Sequence, residues 1–244
     1  METARSMDLG LTIDDLRRIL IALPGIIIAV TYHEAAHAWM ADRCGDNTAR
    51  SLGRISANPL RHIDPLGTIV VPLVLYVTTG FVFGWAKPVP VVMRNFHHMR
   101  RDMILTALAG PVTNFALALL CTSLYYLLAM VPPGTAAEWI EPLKLAAQTG
   151  VFINVLLGVF NMIPVPPLDG GRVAVGLLPP RQSMALARLE RFGILIVLML
   201  LWLPPTRVVL STVFGALNIL IMYVVPYAQT MLINAFGHLI QRLL

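Results

Sequence analysis

Two histidines and a glutamate lie close together in an apolar part of the chain, in the sequence HEAAH at 33–37. Histidines four residues apart on an α-helix share one face, about 6 Å apart, because four residues make roughly one helical turn. His33 and His37 can therefore bind one Zn²⁺, and Glu34 lies beside the open coordination position, where it can move a proton. The spacing predicts hydrolysis by a zinc-activated water.

Two histidines do not complete such a site, because catalytic zinc usually has three protein ligands and a water. The best third candidate is Asp169, which follows a proline-rich segment and precedes Gly170 and Gly171. The prolines end the preceding helix, and the glycines permit a sharp turn that can return a carboxylate toward the histidines. An N-cap of the next segment is the alternative role for Asp169. The rival ligands, all in segments typical of interfacial loops, are Asp42, Asp46 and Asp64.

The HExxH pattern alone is weak, since many unrelated helices match it. The alternative is that His33 and His37 only pack between helices. Here the apolar run 19–30 leads directly into the motif, so the motif should lie at membrane depth. A charged residue at that depth costs about 2.5 kcal/mol or more, which favours a functional role for the buried histidines and Glu34.

The composition indicates a membrane protein. Of the 244 residues, 57% are hydrophobic and only 13% are charged, whereas soluble domains carry about 25% charged residues. Arginines that flank membrane spans explain the net charge of +5 without nucleic acid as a partner. We therefore expect a single all-α, polytopic, integral-membrane domain over 1–244, embedded in the lipid bilayer.

Apolar segments separated by prolines, glycines and arginines set the expected architecture. The sequence predicts about five to six transmembrane segments. Three of them carry the motifs given below, which by the resemblance stated there implies a three-helix catalytic core. Closely spaced prolines exclude helix from 85–90. The predicted elements are core helices at about 19–42, 103–130 and 143–162, a C-terminal hairpin at about 190–228, a possible re-entrant segment at 67–92 and a small β-hairpin near 49–57.

The distribution of basic residues favours one orientation. If the N-terminus is outside and 67–92 enters and leaves on one side, most of the 18 basic residues fall inside. A full crossing by 67–84 would instead place the cluster 87–101 outside. The chain carries no cleaved signal peptide by this interpretation, and either Met1 or Met7 can be its start.

Three motifs together resemble the site-2 protease family of intramembrane zinc metalloproteases. They are HEAAH at 33–37, AGPVTN at 109–114 and FNMIPVPPLDGGR at 160–172. The segments NPLRHIDPLGT (58–68) and GWAKPVPV (84–91) are similar to those of its compact bacterial members. Neither a PDZ nor a CBS module is expected.

The resemblance implies roles for individual residues. His33, His37 and Asp169 are expected to bind one zinc ion, with Glu34 as the catalytic acid and base. It also implies transmembrane segments of other proteins as substrates, and a bacterial inner membrane with the active site facing the cytoplasm.

A substrate must reach the zinc as an extended chain, because a helix hides its peptide bonds behind backbone hydrogen bonds. Candidate edges for strand addition are Arg50–Ala57 and Trp85–Val92. Asn114 and Asn161 are expected to hydrogen-bond the substrate or the oxyanion, with an interhelical hydrogen bond as the alternative for each. Gly110 with Pro111 favours close helix packing and a kink.

Two other functions are compatible with the same residues. A metal channel or transporter would use the buried histidines and Asp169 for a permeating ion, but would have no special need for Glu34. A catalytically silent family member would act only as a binding partner, which the intact set of four residues disfavours.

Overall fold

The computed structural model describes residues 13–71, 74, 84–132, 137–202 and 204–224, and over these residues its regular secondary structure is entirely helical. The all-α prediction is confirmed there. Short 3-10 and π-helical turns join the α-helices. The helices are α1 (Ile13–Arg43), α2 (Thr48–Ser51), α3 (Met99–Ala129), α4 (Ala137–Asn161), α5 (Asp169–Leu177), α6 (Pro180–Ala187), α7 (Gly193–Trp202) and α8 (Pro204–Ile219).

Helices α1, α3 and α4 pack against one another, and α5 packs on α3. α1 begins at Ile13, before the predicted core segment 19–42, and continues through Pro24. At Gly25 it approaches α4 so closely that a Cβ there would lie 3.7 Å from the Cα of Gly150. Small residues permit this approach between membrane helices. All three predicted core segments are therefore helical and in mutual contact.

Two of the helices, Met99–Ala129 and Glu138–Asn161, are long and apolar enough to cross a membrane. Large apolar side chains project outward from both, for example Leu120 and Leu127 on α3 and Phe152 on α4. Outward-facing Leu and Phe on long helices are consistent with a membrane protein, since lipid is as apolar as these side chains. The predicted count of five to six spans stays a prediction.

The predicted β-hairpin near 49–57 is wrong. Residues Thr48–Ser51 form the short helix α2, and Arg54 N–H donates to the carbonyl of Ala49. Gly53 has φ +64°, a left-handed conformation that favours glycine. This glycine ends a helical turn, as glycine commonly does after a helix, so the same residue that indicated a hairpin turn serves as a helix stop.

Residues Trp85–Val92 are extended, as their prolines predict, and we call this segment the strap. It lies between the π-helical turn Pro65–Val70 and α3. Most of the predicted re-entrant segment 67–92 before the strap lies outside the described residues. The same holds for the two candidate start methionines and the last part of the predicted C-terminal hairpin, of which α7 and α8 are described and in contact.

Candidate metal centre

Helix α1 places both histidines of the HExxH sequence on one face, and the first residue of α5 meets them there. His33 Nε2 and His37 Nε2 lie 3.1 Å apart. Each of these nitrogens lies 3.2 Å from Asp169 Oδ2. All three residues are buried. The structure thus joins two ligand types that stand more than a hundred positions apart in the chain.

The other ring nitrogen of each histidine fixes its tautomer. His37 Nδ1 lies 2.7 Å from the carbonyl oxygen of Thr106, which can only accept, so this nitrogen carries the proton. His33 Nδ1 lies 2.5 Å from Asn114 Oδ1. When the imidazoles are neutral, Nδ1 carries the proton of each, and the unprotonated Nε2 atoms face Asp169.

Asn114 owes its orientation to two further contacts. Its Nδ2 donates to the carbonyl of Ala29 on α1 at 3.3 Å and to Asn154 Oδ1 on α4 at 2.9 Å. Asn154 Nδ2 in turn donates to the carbonyl of Gly150 at 2.9 Å. Because a carbonyl only accepts, the amide nitrogen of Asn114 must face Ala29, which leaves its oxygen for His33.

With both imidazoles neutral, three electron-pair donors converge here without a proton between them. Asp169 Oδ2 is buried and, among the described residues, has no hydrogen-bond donor. Such an arrangement is repulsive unless a cation binds, and the three residues form a group whose ligand atoms all lie within 4.8 Å. In a tetrahedral zinc site with bonds of about 2.0–2.1 Å, the ligand atoms lie about 3.3 Å apart. The observed separations of 3.1–3.2 Å fit a zinc ion.

Glycines at two positions leave the space that the candidate ligands and their supporting backbone occupy. A Cβ on Gly110 of α3 would lie 2.6 Å from the Cε1 atoms of His33 and His37. On α5, a Cβ on Gly170 would lie 2.6 Å from the carbonyl oxygen of Ile163. Gly110 therefore provides close packing, as expected, but against the imidazoles rather than against a neighbouring backbone.

Glu34 lies one step round the helix, half-buried, and faces the strap. Its Oε2 accepts a hydrogen bond of 3.2 Å from the Val89 N–H. Pro88 and Pro90 flank Val89, so this is the only N–H among the three residues. The candidate proton carrier thus has one main-chain partner in the described structure.

The strap is attached at several points along its length. Trp85 N–H donates to the carbonyl of Gly67 at 3.0 Å, and Lys87 N–H donates to the carbonyl of His62 at 2.9 Å. At the other end, Val92 N–H donates to Asp46 Oδ2 at 2.6 Å. These bonds fix a segment that has no helix or sheet to stabilise it.

Asp46 anchors more than the strap. It is fully buried and also accepts from Thr48, through both N–H and hydroxyl, and from Asn95 Nδ2 at 2.9 Å. Burial alone would raise the pKa of the Asp46 carboxyl, but these hydrogen bonds to its ionised form outweigh that effect. The pKa of Asp46 therefore lies below its ordinary value.

The remaining predicted residues are not among the three candidate ligands. Asn161 donates to the carbonyl of Leu157 on its own helix and does not touch the metal-ligand group. The side-chain amide of Asn114 forms hydrogen bonds to residues of α1 and α4, which is the interhelical role given above as its alternative. Of the rival ligands, Asp46 binds the strap, Asp42 pairs with Arg50, and Asp64 caps the Pro65–Val70 turn.

Sequence reasoning did not identify three contributors to this region: Asn154, the Thr106 carbonyl and the Val89 N–H. Asn154 stands in the second half of α4 with apolar neighbours on either side, so only its polarity in a span signals a role. Main-chain groups carry no signal in a sequence at all. The prolines around Val89 indicate an extended segment but not its partner.

Comparison with known proteins supports the motif resemblance. Residues 128–204 match the family described as Peptidase family M50. The chain is 35% identical over 191 residues to the zinc metalloprotease YwhC of Bacillus subtilis, covering 78% of this chain and 84% of that protein. It is 30% identical over 190 residues to the zinc metalloprotease Rip2 of Mycolicibacterium smegmatis, covering 76% of this chain and 68% of that protein.

A more distant relative is the regulator of sigma-E protease RseP of Escherichia coli, 29% identical over 167 residues. That alignment covers 65% of this chain but only 36% of RseP. No solved structure is significantly similar to this one. The similarity to YwhC extends over most of both proteins, and this chain therefore belongs to peptidase family M50, the site-2 type of zinc metalloprotease.

Proposed function

We propose that this metalloprotease is an intramembrane endopeptidase that hydrolyses peptide bonds in or near transmembrane segments of other proteins. The convergence of three candidate ligand atoms, His33 Nε2, His37 Nε2 and Asp169 Oδ2, carries the proposal. These residues would hold one zinc ion. The apolar run 19–30 leads to the two histidines on α1, which supports a site at membrane depth.

Glu34 carries the proton in this mechanism. Bound zinc would supply Lewis-acid polarisation of the scissile carbonyl and would acidify a water molecule. Glu34 accepts the proton of the attacking water and delivers it to the leaving amine. The Val89 N–H holds the carboxylate in place, while Asn114 and the Thr106 carbonyl keep both imidazoles in the tautomer that leaves Nε2 free.

The substrate would bind as an extended chain along the strap. Of the two candidate edges, Arg50–Ala57 starts in helix α2 and offers no continuous edge, whereas the strap is extended and contacts Glu34. Strand addition to such an edge uses main-chain hydrogen bonds and tolerates many side chains. The roles of Asn114 and Asn161 in substrate binding stay predictions.

The proposed location is a bacterial inner membrane with the site facing the cytoplasm. The supporting observation is the excess of arginines in the segments next to the site, between α1 and α3. Exposed examples are Arg50, Arg61, Arg94 and Arg100. Lys and Arg accumulate on the cytoplasmic side of membrane proteins.

The test compares wild type with Glu34→Gln in detergent, on a panel of single-span proteins and on fluorescent casein, with and without a zinc chelator. We expect cleavage by wild type, at least a hundredfold loss in Glu34→Gln (about 10²–10⁴ is typical for a lost acid–base group), and unchanged zinc content. Glu141→Gln is the matched control, because Glu141 is an exposed α4 carboxylate paired with Lys144.

Cleavage that survives in Glu34→Gln would refute the role of Glu34. Zinc binding without any cleavage, together with metal uptake into vesicles that is equal in wild type and Glu34→Gln, would instead support the channel or transporter. Zinc binding with neither cleavage nor uptake would support a silent binding partner.

A further inference from the structure

A buried arginine holds the part of the strap that faces Glu34. Arg54 is only 6% exposed. Its Nη2 lies 2.5 Å from the carbonyl oxygen of Lys87 and 3.5 Å from that of Pro88. These are the two carbonyls that precede the Val89 N–H in the chain. A guanidinium buried so completely usually pairs with a carboxylate, but Arg54 forms no ion pair with any described residue.

The Pro88–Val89 peptide group links this arginine to the glutamate. In a trans peptide the C=O and N–H point in opposite directions. The carbonyl of Pro88 thus points toward Arg54, while the N–H of Val89 points toward Glu34 Oε2. A cation at the carbonyl end of a peptide polarises it and strengthens its N–H as a donor.

We propose that Arg54 is a positioning residue for Glu34, acting through the Lys87 and Pro88 carbonyls to aim the Val89 N–H at the carboxylate. This inference rests on the proposed function of Glu34. The arrangement orients the carboxylate without a direct ion pair, which would compete with the carboxylate's proton transfer. It also explains why a cation is buried beside carbonyls rather than beside an acid.

Other bonds secure the strap when Arg54 is replaced. His62 and Gly67 hold its first half, and Asp46 holds its end at Val92. Loss of the guanidinium should therefore loosen one peptide group and leave the segment attached. The effect expected of Arg54→Met is local, and it is separable from a failure to fold.

Amide hydrogen exchange measures this positioning without any substrate. Within 88–90 the Val89 amide is the only one that can exchange, because both neighbours are prolines. In the zinc-loaded full chain in detergent, Arg54→Met should speed its exchange by about tenfold or more, as loss of a local hydrogen bond does. Arg54→Lys, which can still reach one carbonyl, should lie between Arg54→Met and wild type.

Arg61→Met is the matched control. Arg61 is exposed and also donates to a carbonyl, that of Gly53 at 2.8 Å, but it does not touch the strap. It should leave the exchange of Val89 and the cleavage rate unchanged. Exchange of Val89 that is the same in Arg54→Met and wild type would overturn the proposal, whatever the protease activity.

Cleavage of fluorescent casein gives the second measurement. Arg54→Met and Val89→Pro, which removes the N–H, should each lower kcat about 10–100-fold with little change in KM, as misplacing a reacting group does. The double variant should be no worse than the poorer single variant, because both changes remove the same contact. Val89→Ala, which keeps the N–H, should be at least tenfold more active than Val89→Pro.

The outcomes separate the two proposals. If Glu34→Gln is inactive and Arg54→Met is fully active, only the proposed role of Arg54 is refuted. An active Glu34→Gln refutes the proposed role of Glu34, while the exchange result still decides whether Arg54 positions Val89. Additive losses in the double variant, or loss of zinc together with activity in Arg54→Met, would show a general structural role instead.

Discussion

Replacing Gly110 with alanine should empty the metal centre. The new Cβ would lie 2.6 Å from the Cε1 atoms of both His33 and His37, and still closer to His37 Nε2. Ordinary contacts between such atoms are about 3.5–4.0 Å. The imidazoles or helix α3 must therefore move by about 1 Å.

A shift of that size is large for a metal ligand. Zinc–ligand distances tolerate about ±0.2 Å, so a movement of about 1 Å is roughly five times the tolerance. We expect zinc affinity to fall at least about 100-fold, or about 2.7 kcal/mol. Alanine favours helix over glycine by about 1 kcal/mol, so the loss occurs despite a change that should favour α3.

The assay measures bound zinc after dialysis against a zinc buffer, and casein cleavage by the same samples. Gly215→Ala on α8 is the first control, because nothing lies within 4 Å of a Cβ there. Gly158→Ala on α4 is the second control, since its Cβ would meet Phe115 Cζ at 2.9 Å, a helix-packing clash that does not involve the ligand side chains. Both controls should keep their zinc.

Stoichiometric zinc and wild-type cleavage in Gly110→Ala would refute the positions described for the two imidazoles. Equal zinc loss in Gly110→Ala and Gly158→Ala would show that general helix packing, rather than direct crowding of the histidines, controls the site.

Three further changes test the surroundings of the site. Asn154→Ala removes the partner of Asn114 and should weaken zinc binding about tenfold, because His33 is then held less firmly. Competition with a chromogenic chelator measures the zinc affinity, with Thr212→Ala on α8 as the control. Unchanged affinity would contradict the connection between Asn154 and His33. Gly171→Ala places a Cβ 2.7 Å from Pro166 Cα, so it should lower the free energy of unfolding by roughly 1–3 kcal/mol and displace Asp169. A variant with the melting temperature and zinc content of wild type would contradict this prediction. Folding lowers the pKa of Asp46, so its ionised form stabilises the protein at pH values above its ordinary pKa of 3.8. This stabilisation is lost as the pH falls below 3.8 and through the lowered pKa. The difference in melting temperature between wild type and Asp46→Asn should therefore be largest near neutral pH and shrink in acid, whereas a constant difference would rule out the linkage.

The sequence was most informative where chemistry depends on local spacing. The four-residue separation of His33 and His37 fixes their common face on any helix, and the structure shows both on it. Asp169 was the best candidate for a third ligand because the prolines and glycines around it permit a turn toward the histidines, and the structure places it beside them. The extended strap followed from its prolines in the same way.

Long-range partners could not be read from the sequence. Asp46 was considered only as a rival metal ligand, although its oxygens bind the N–H of Val92, 46 residues away. Arg54 bonds to main-chain carbonyls, which every residue carries, so no residue type indicates the pairing. The hairpin near 49–57 failed for a related reason: a glycine with positive φ ends a helical turn as readily as it forms a hairpin.

The chain of amides from His33 through Asn114 and Asn154 to the Gly150 carbonyl joins α1, α3 and α4. Apolar side chains alone would let these helices slide along one another in lipid, since hydrocarbon replaces one apolar contact with another. A slip of one turn moves a helix about 5.4 Å and would leave several amide groups without partners where no water can replace them. The hydrogen bonds of these amides therefore fix the register of the three helices along one another. They hold the residues of the candidate metal site in fixed positions within lipid, a fluid solvent that offers no directional contacts of its own.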